Sequence, residues 1–155
     1  MKDAELAAAA QRERYSRRKH DARFLANHEF VIEPGVELVS GVHQDAAFGP
    51  VVMVGLGGIL VEVLKDVSFR IVPIEKADAI AMTGEIQGRK LLEGYRGQDP
   101  ADIARLQDML VKLSDFVDRT PGIEEIDMNP VFAYRDGAVV VDARIILSPD
   151  GQAER

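Results

Sequence analysis

Glu125-Ile126-Asp127-Met128-Asn129-Pro130-Val131-Phe132-Ala133-Tyr134-Arg135-Asp136-Gly137-Ala138-Val139-Val140-Val141-Asp142-Ala143-Arg144 alternates apolar and polar residues on both sides of an Asp-Gly pair. Asp-Gly between such runs is the strongest short-range signal for a two-residue hairpin turn. With Asp136 and Gly137 as the loop, Arg135 faces Ala138, Val131 faces Asp142 and Asn129 faces Arg144. Side chains alternate along a strand. Ile126, Met128, Phe132, Val139, Val141 and Ile145 therefore fall on one face, and Asp127, Asn129, Asp142 and Arg144 on the other. In that register Asn129 and Asp142 are diagonal neighbours about 7–8 Å apart, close enough for two oxygen side chains to converge on one hard cation. Pro130 has no ladder donor and suits an edge strand or a register-shifting bulge. Pairing logic alone leaves two readings open, a metal site and a hairpin whose outer face is polar.

Upstream, Pro34-Gly35, Gln44-Asp45, Gly57-Gly58 and Lys65-Asp66 punctuate Val- and Ile-rich runs at Phe30 to Glu33, Val36 to Val42, Pro50 to Gly55, Ile59 to Leu64 and Val67 to Val72. They read as a meander of short antiparallel strands. Beyond Pro73 the period lengthens to that of helices, at Glu75 to Met82 and Glu85 to Leu92 with a break near Gly84. Asp99 as N-cap with Pro100 in the first turn opens the clearest helix. Its apolar stripe is Ile103, Leu106, Leu110, Leu113 and Val117, and it ends near Thr120-Pro121-Gly122. Strands, then helices, then a hairpin predict an α+β fold, an antiparallel sheet covered by helices on one side.

The chain has 155 residues, 46% of them hydrophobic, which suffices for one core. It has no cysteine, which excludes disulfides and thiolate metal sites. With no membrane-length apolar run and no secretion signal, the reading is a cytoplasmic protein. The net charge is −7, but residues 1–28 carry seven Lys/Arg against four Asp/Glu, leaving −10 for the rest. That balance argues against a nucleic-acid module. Residues 1–28 read as a charged Ala-rich tail or solvated helix, and residues 29–155 as the domain.

The glycines at Gly55-Leu56-Gly57-Gly58 follow a strand, where backbone amides can approach phosphate; a softened hairpin turn is the plainer alternative. The segment is neither a P-loop nor a dinucleotide fingerprint. Glu62, Lys65, Asp66 and Arg70 read as a solvated charged sheet face. His20, His28 and His43 lack metal-ligand spacing and read as surface residues. No Ser has a nucleophile-elbow context.

The series Gly35-Val36-Glu37, Asp45 through Pro50, Gly55 to Gly58, Val61 to Asp66, Arg70 with Pro73, Gly94 to Gly97, Glu125 to Pro130 and Val141 to Arg144 resembles the carboxyl-terminal lobe of the ATP-grasp domain of ADP-forming acyl-CoA synthetases, relatives of the succinyl-CoA synthetase β subunit. The resemblance implies that Asn129 and Asp142 bind Mg²⁺ and that Glu37, with Gly57 and Gly58, contacts ATP or ADP. Glu33 matches a linker acid. It implies the reaction acyl-CoA + ADP + phosphate ⇌ acid + CoA + ATP, through an acyl phosphate and a phosphohistidine on the complete enzyme. Residues 1–30 resemble neither the phosphate-binding lysine segment nor the glycine-rich loop of the amino-terminal lobe. The expectation is a part that is inactive alone, whose partners are the nucleotide and, on another chain, CoA-binding and amino-terminal ATP-grasp segments, with an exposed sheet patch favouring self-association. The alternative is a non-catalytic interaction or scaffold module derived from an ATP-grasp domain.

Overall fold

The computed structural model describes residues 35–58 and 66–148. The basic segment 1–28, Glu33, His20, His28, Glu62, Lys65 and the expected strands at Phe30 to Glu33 and Ile59 to Leu64 lie outside them. Within them run β1 (Val36–Asp45), β2 (Gly49–Leu56), β3 (Val67–Ile71), α1 (Lys76–Glu85), a 3₁₀ turn (Gln87–Leu91), α2 (Ile103–Asp118), β4 (Ile123–Tyr134), β5 (Gly137–Val140) and β6 (Ala143–Leu147). The strands form one antiparallel sheet in the order β3-β2-β1-β4-β5, with β6 also paired to β4. This is the expected α+β arrangement, and β4 is its spine.

One face of the sheet is closed by the helices. Leu38, Val42, Val52, Val54 and Leu56 from β1 and β2, with Ile126, Met128 and Val131 from β4, meet Ala79 and Met82 of α1 and Leu106, Leu110, Leu113 and Val117 of α2. The predicted α2 stripe is buried except at its first member, Ile103, which is half-buried. A narrow stripe is what an amphipathic helix needs to cover a sheet without burying its charges. Two hydroxyls hold polar groups inside this apolar layer. Ser114 Oγ accepts from the Ile74 amide at 2.8 Å, and Ser40 Oγ donates to the Met53 carbonyl at 2.8 Å.

Five local expectations are corrected. First, α2 starts at Ile103, and its N-cap is Asp102, whose carboxylate accepts from the Arg105 amide at 3.1 Å. Asp99 and Pro100 lie before the helix in a segment tethered to the domain, with Ala101 N–H bound to Leu92 O and Asp102 N–H to Tyr134 O. Second, the break between α1 and the next turn falls at Ile86 rather than Gly84, and the second element is a short 3₁₀ turn. Ile86 is buried, and its backbone leaves the helical region to place it there. Third, Asp66 is not on a solvated face. It is 3% exposed and accepts from the amides of Gln87 at 2.7 Å and Gly88 at 2.8 Å, so it caps the 3₁₀ turn. Fourth, β4 reverses its facing at Asn129-Pro130. Ile126 and Met128 are buried, then Val131 and Ala133, while Phe132 is half-buried on the other side. The β1–β4 register slips between Leu38 and Ser40, which is the bulge Pro130 suits. Fifth, Val139, Val141 and Ile145 are exposed rather than core: Val139 pairs with Phe132, which the reversal turns away from the helices, and Ile145 lies on β6, which is bonded to β4 alone.

Arg70 of β3 pairs with Glu85 at the end of α1, and Ser68 Oγ donates to the same carboxylate at 2.6 Å. The Arg70 guanidinium first, and then the Ser68 hydroxyl, hold the Glu85 carboxyl below its usual range. A carboxyl depressed on folding stabilises above its unfolded value and loses that contribution as pH falls through the folded one. Urea midpoints measured from pH 7 down to 3 are therefore expected to fall less steeply in Glu85→Gln than in the parent, with the difference confined to the acid side. The effect is small, because both partners are solvated.

Candidate functional site

The hairpin that carries Asn129 and Asp142 turns one step earlier than Asp-Gly suggests. Tyr134 pairs with Gly137, Ala133 with Ala138 and Val131 with Val140, so the loop residues are Arg135 and Asp136. A type I′ turn needs positive φ at both central residues, and neither Arg135 nor Asp136 has it; the positive value, +137°, falls on Gly137. Gly137 is thus the glycine that ends the turn, a position where type I turns favour it. The register is displaced by two residues, which preserves the faces and moves the pairs.

Asn129 therefore stands directly across from Asp142 rather than diagonal to it. The Asn129 amide donates to the Asp142 carbonyl at 3.2 Å, and the Val141 amide to the Pro130 carbonyl at 3.0 Å. Both Asn129 and Asp142 are exposed, and their flanking residues Met128 and Ala143 pair across the core-side row. Directly opposed residues have Cβ atoms about 4.5–5.5 Å apart, a tighter span for one cation than the diagonal. Among the described residues neither side chain has a hydrogen-bond or ion-pair partner. The obvious competitor, Arg144, instead donates to Glu125 at 2.5 Å. A carbonyl oxygen and a carboxylate, free and facing, suit a hard cation that keeps most of its coordination for phosphate and water. Among the described residues no three His, Asp or Glu converge as a self-sufficient metal cage.

Glu37, Gly57 and Gly58 are brought together although twenty positions separate them. β1 and β2 pair as far as Leu38 and Leu56, and the Gly57 amide then donates to the Glu37 carbonyl at 2.8 Å. A Cβ on Gly57 would lie 2.8 Å from Glu37 Cγ and 3.1 Å from its backbone, so the acid stem occupies the room a side chain would need. Gly58 has φ +60°, and a Cβ there would sit 3.3 Å from Glu37 Oε2. With Val36, Leu56, Leu91 and Gln98 these residues line a cavity of about 250 Å³. The Gly57 amide is engaged within the sheet, so its contribution here is close approach, not a free donor.

Glu37 pairs with Phe132, two positions from Val39, which faces the Asn129-Pro130 bulge. The cavity acid and the facing pair thus share the sheet face away from the helices. His43 is exposed at the other end of β1, beside an open cleft of about 620 Å³ also lined by Gln44, Glu125 and Ile146, and no expected site residue lines that cleft. Asp66 is the structural acid that sequence reasoning missed. Its partners lie more than twenty positions away, with no spacing signal to link them.

The family model of the ATP-grasp domain matches residues 2–147. The β subunit of acetate–CoA ligase [ADP-forming] II of Pyrococcus furiosus is 54% identical over 120 residues, 76% of this chain and 51% of the relative. That of ligase I from the same organism is 52% identical over 113 residues, 73% and 49% of the two. The chain therefore spans about half the length of these curated relatives. Among solved structures, the dinucleotide-forming acetyl-coenzyme A synthetase 1 of Ca. Korarchaeum cryptofilum, in complex with coenzyme A and Mg-AMPPCP, superposes with a TM-score of 0.72 at 48% identity, covering 75% of this chain and 55% of that one. The same enzyme with a phosphorylated phosphohistidine segment gives 0.73 at 49%, covering 77% and 53%.

Proposed function

This chain belongs to the ATP-grasp domain family, and on that premise we propose that it is the nucleotide- and Mg²⁺-binding part of an ADP-forming acyl-CoA synthetase, working with further ATP-grasp and CoA-binding segments. The observation that carries the reading is the facing pair Asn129 and Asp142, both without side-chain partners among the described residues, with the Glu37 cavity beside the start of the adjoining strand β1. In the proposed site the Asn129 carbonyl and the Asp142 carboxylate hold Mg²⁺ by two oxygens from opposite strands. When bound, that ion supplies charge neutralisation and alignment for the phosphates. Glu37 accepts from donors on the nucleotide, and Gly57 and Gly58 let the ligand approach the backbone, since a side chain at either would fill the space. The whole reaction, acyl-CoA + ADP + phosphate ⇌ acid + CoA + ATP, needs the partner segments for acyl and CoA recognition. The absence of cysteine supports a cytoplasmic setting.

With the contacts of one lobe alone, affinity for Mg-ADP is expected near millimolar, about 4 kcal/mol. The test is thermal melting with and without millimolar Mg-ADP, for the parent and for Asp142→Asn. Mg-ADP should raise the parent's melting temperature and leave the variant's unchanged. Without ligand, Asp142→Asn should match the parent or exceed it slightly, because Arg144 is bound to Glu125 and the Asp142 carboxylate has no cation to lose. A parent indifferent to Mg-ADP together with a destabilised variant would favour the non-catalytic scaffold alternative.

A further inference from the structure

Val141-Asp142-Ala143-Arg144 contributes Asp142 to the proposed metal pair, while Arg144 has no role in it. Arg144 faces Asp127 in the β4–β6 register, one same-face row from Asn129 and Asp142. Two strand residues advance about 6.6 Å, well within the reach of an arginine side chain from its backbone. The guanidinium makes one bond, Nη2 to Glu125 Oε1 at 2.5 Å, and its side chain is 64% exposed. Four of its five N–H donors thus remain to be offered elsewhere.

Charge gives that arrangement a direction. Glu125, Asp127 and Asp142 set three carboxylates around one guanidinium in adjoining rows of one face. A phosphate cannot settle there unaided, but a divalent cation on the Asn129–Asp142 pair cancels the excess negative charge. Arg144 is then the cation beside a metal-held phosphate chain. A chain whose inner phosphates bind at the pair carries its end a few ångströms further, and the arginine side chain spans the rest of the one-row distance of about 6.6 Å. We propose that Arg144 is a phosphate-positioning residue that engages the terminal phosphate of a nucleoside triphosphate and thereby favours the triphosphate over the diphosphate at this site. Before the ligand arrives Glu125 occupies one guanidinium donor, so it competes with the phosphate for Arg144. The inference rests on the nucleotide reading of the facing pair and adds a discrimination that reading does not contain.

The test is an NMR titration of the full chain with Mg-ADP and with Mg-ATP, carried to tens of millimolar so that weak binding is measurable. In Arg144→Gln, Mg-ATP is expected to bind about tenfold more weakly, because a charge-assisted bond is lost, while Mg-ADP changes by less than about twofold. Arg144→Lys keeps the charge without the planar fork and should recover part of the Mg-ATP affinity. Glu125→Gln releases the guanidinium and should leave Mg-ATP binding equal or stronger. Equal weakening of both nucleotides in Arg144→Gln, or weakening of neither, overturns the assignment of Arg144 while leaving the nucleotide site standing. A loss of Mg-ATP binding in Glu125→Gln as large as in Arg144→Gln does the same, since the ion pair would then be structural. If Arg144→Gln fails to give a folded spectrum, Arg144→Lys and Glu125→Gln decide between the two accounts. A parent chain that binds neither nucleotide overturns the proposed function and the role of Arg144 with it.

Discussion

Gly41→Ala is expected to cost about 3 kcal/mol of unfolding free energy, among the largest losses any single methyl group can cause in this domain. Gly41 pairs with Asp127 in the middle of the β1–β4 ladder, and a Cβ there would stand 2.3 Å from the Ile126 carbonyl oxygen. The obstacle is backbone in a strand that is paired on both sides, so relief requires moving β4 against β1 and β6 together. Gly84→Ala is the counter-experiment. Gly84 lies in α1, where an added Cβ would meet only Arg89 Nη1 at 3.8 Å, so alanine should stabilise by about 0.5–1 kcal/mol through helix propensity. Urea denaturation of the two variants should give midpoints on opposite sides of the parent. A neutral Gly41→Ala would show that the β1–β4 spacing is looser than described.

The second large effect is expected at Asp66. Asp66→Ala removes a 3%-exposed carboxylate that accepts from two amides, leaving the Gln87 and Gly88 N–H groups without their acceptor at the start of the 3₁₀ turn. A destabilisation of about 2 kcal/mol follows from the loss of charge-assisted bonds, less the relief of bringing a charge out of the interior. That turn carries Leu91, which lines the Glu37 cavity. The same variant should therefore weaken Mg-ADP binding although Asp66 lines neither the cavity nor the facing pair. Asp66→Asn keeps one acceptor oxygen and should recover part of both losses. Chemical denaturation and the Mg-ADP melting shift measure them separately, and loss of stability without loss of the shift would mean that the turn does not hold the cavity wall.

The residues that sequence reading placed well are those fixed by periodicity. Leu106, Leu110, Leu113 and Val117 could lie only on one helix face, and Ile126 and Met128 only on one strand face. Asn129 and Asp142, the proposed metal pair, stay together despite the error in the turn for a related reason. Strand side chains repeat every two residues, so a displacement of two kept Asn129 and Asp142 on one face and brought them into direct opposition. What could not be read depended on partners that sequence proximity does not reveal. Asp99 and Asp102 are equally good helix caps, and Pro100 favoured the earlier one. The choice of Asp102 is made by Tyr134, whose carbonyl binds the Asp102 amide from across the fold. Asp66 looked like one charge among several because the amides it serves belong to another element. The reversal of facing at Asn129-Pro130 needed β1 to be present before Val131 and Ala133, rather than Phe132, could be recognised as core.

β1 pairs with β4 from Val36–Ala133 to His43–Glu125, so the two central strands are separated by most of the described sequence. As the polypeptide leaves the ribosome, β1, β2 and β3 can assemble with α1 and α2, but one long edge of β1 stays open until residues 123–134 are made. Long-range pairing of this kind slows folding. It also means that a product ending before Ile123 would carry an unprotected strand edge with buried-type residues such as Leu38 and Val42 beside it, a template for intermolecular pairing. The strand that carries Asn129 is also the one that seals the sheet, so molecules that finish synthesis without placing β4 should be recovered as aggregate rather than as soluble protein.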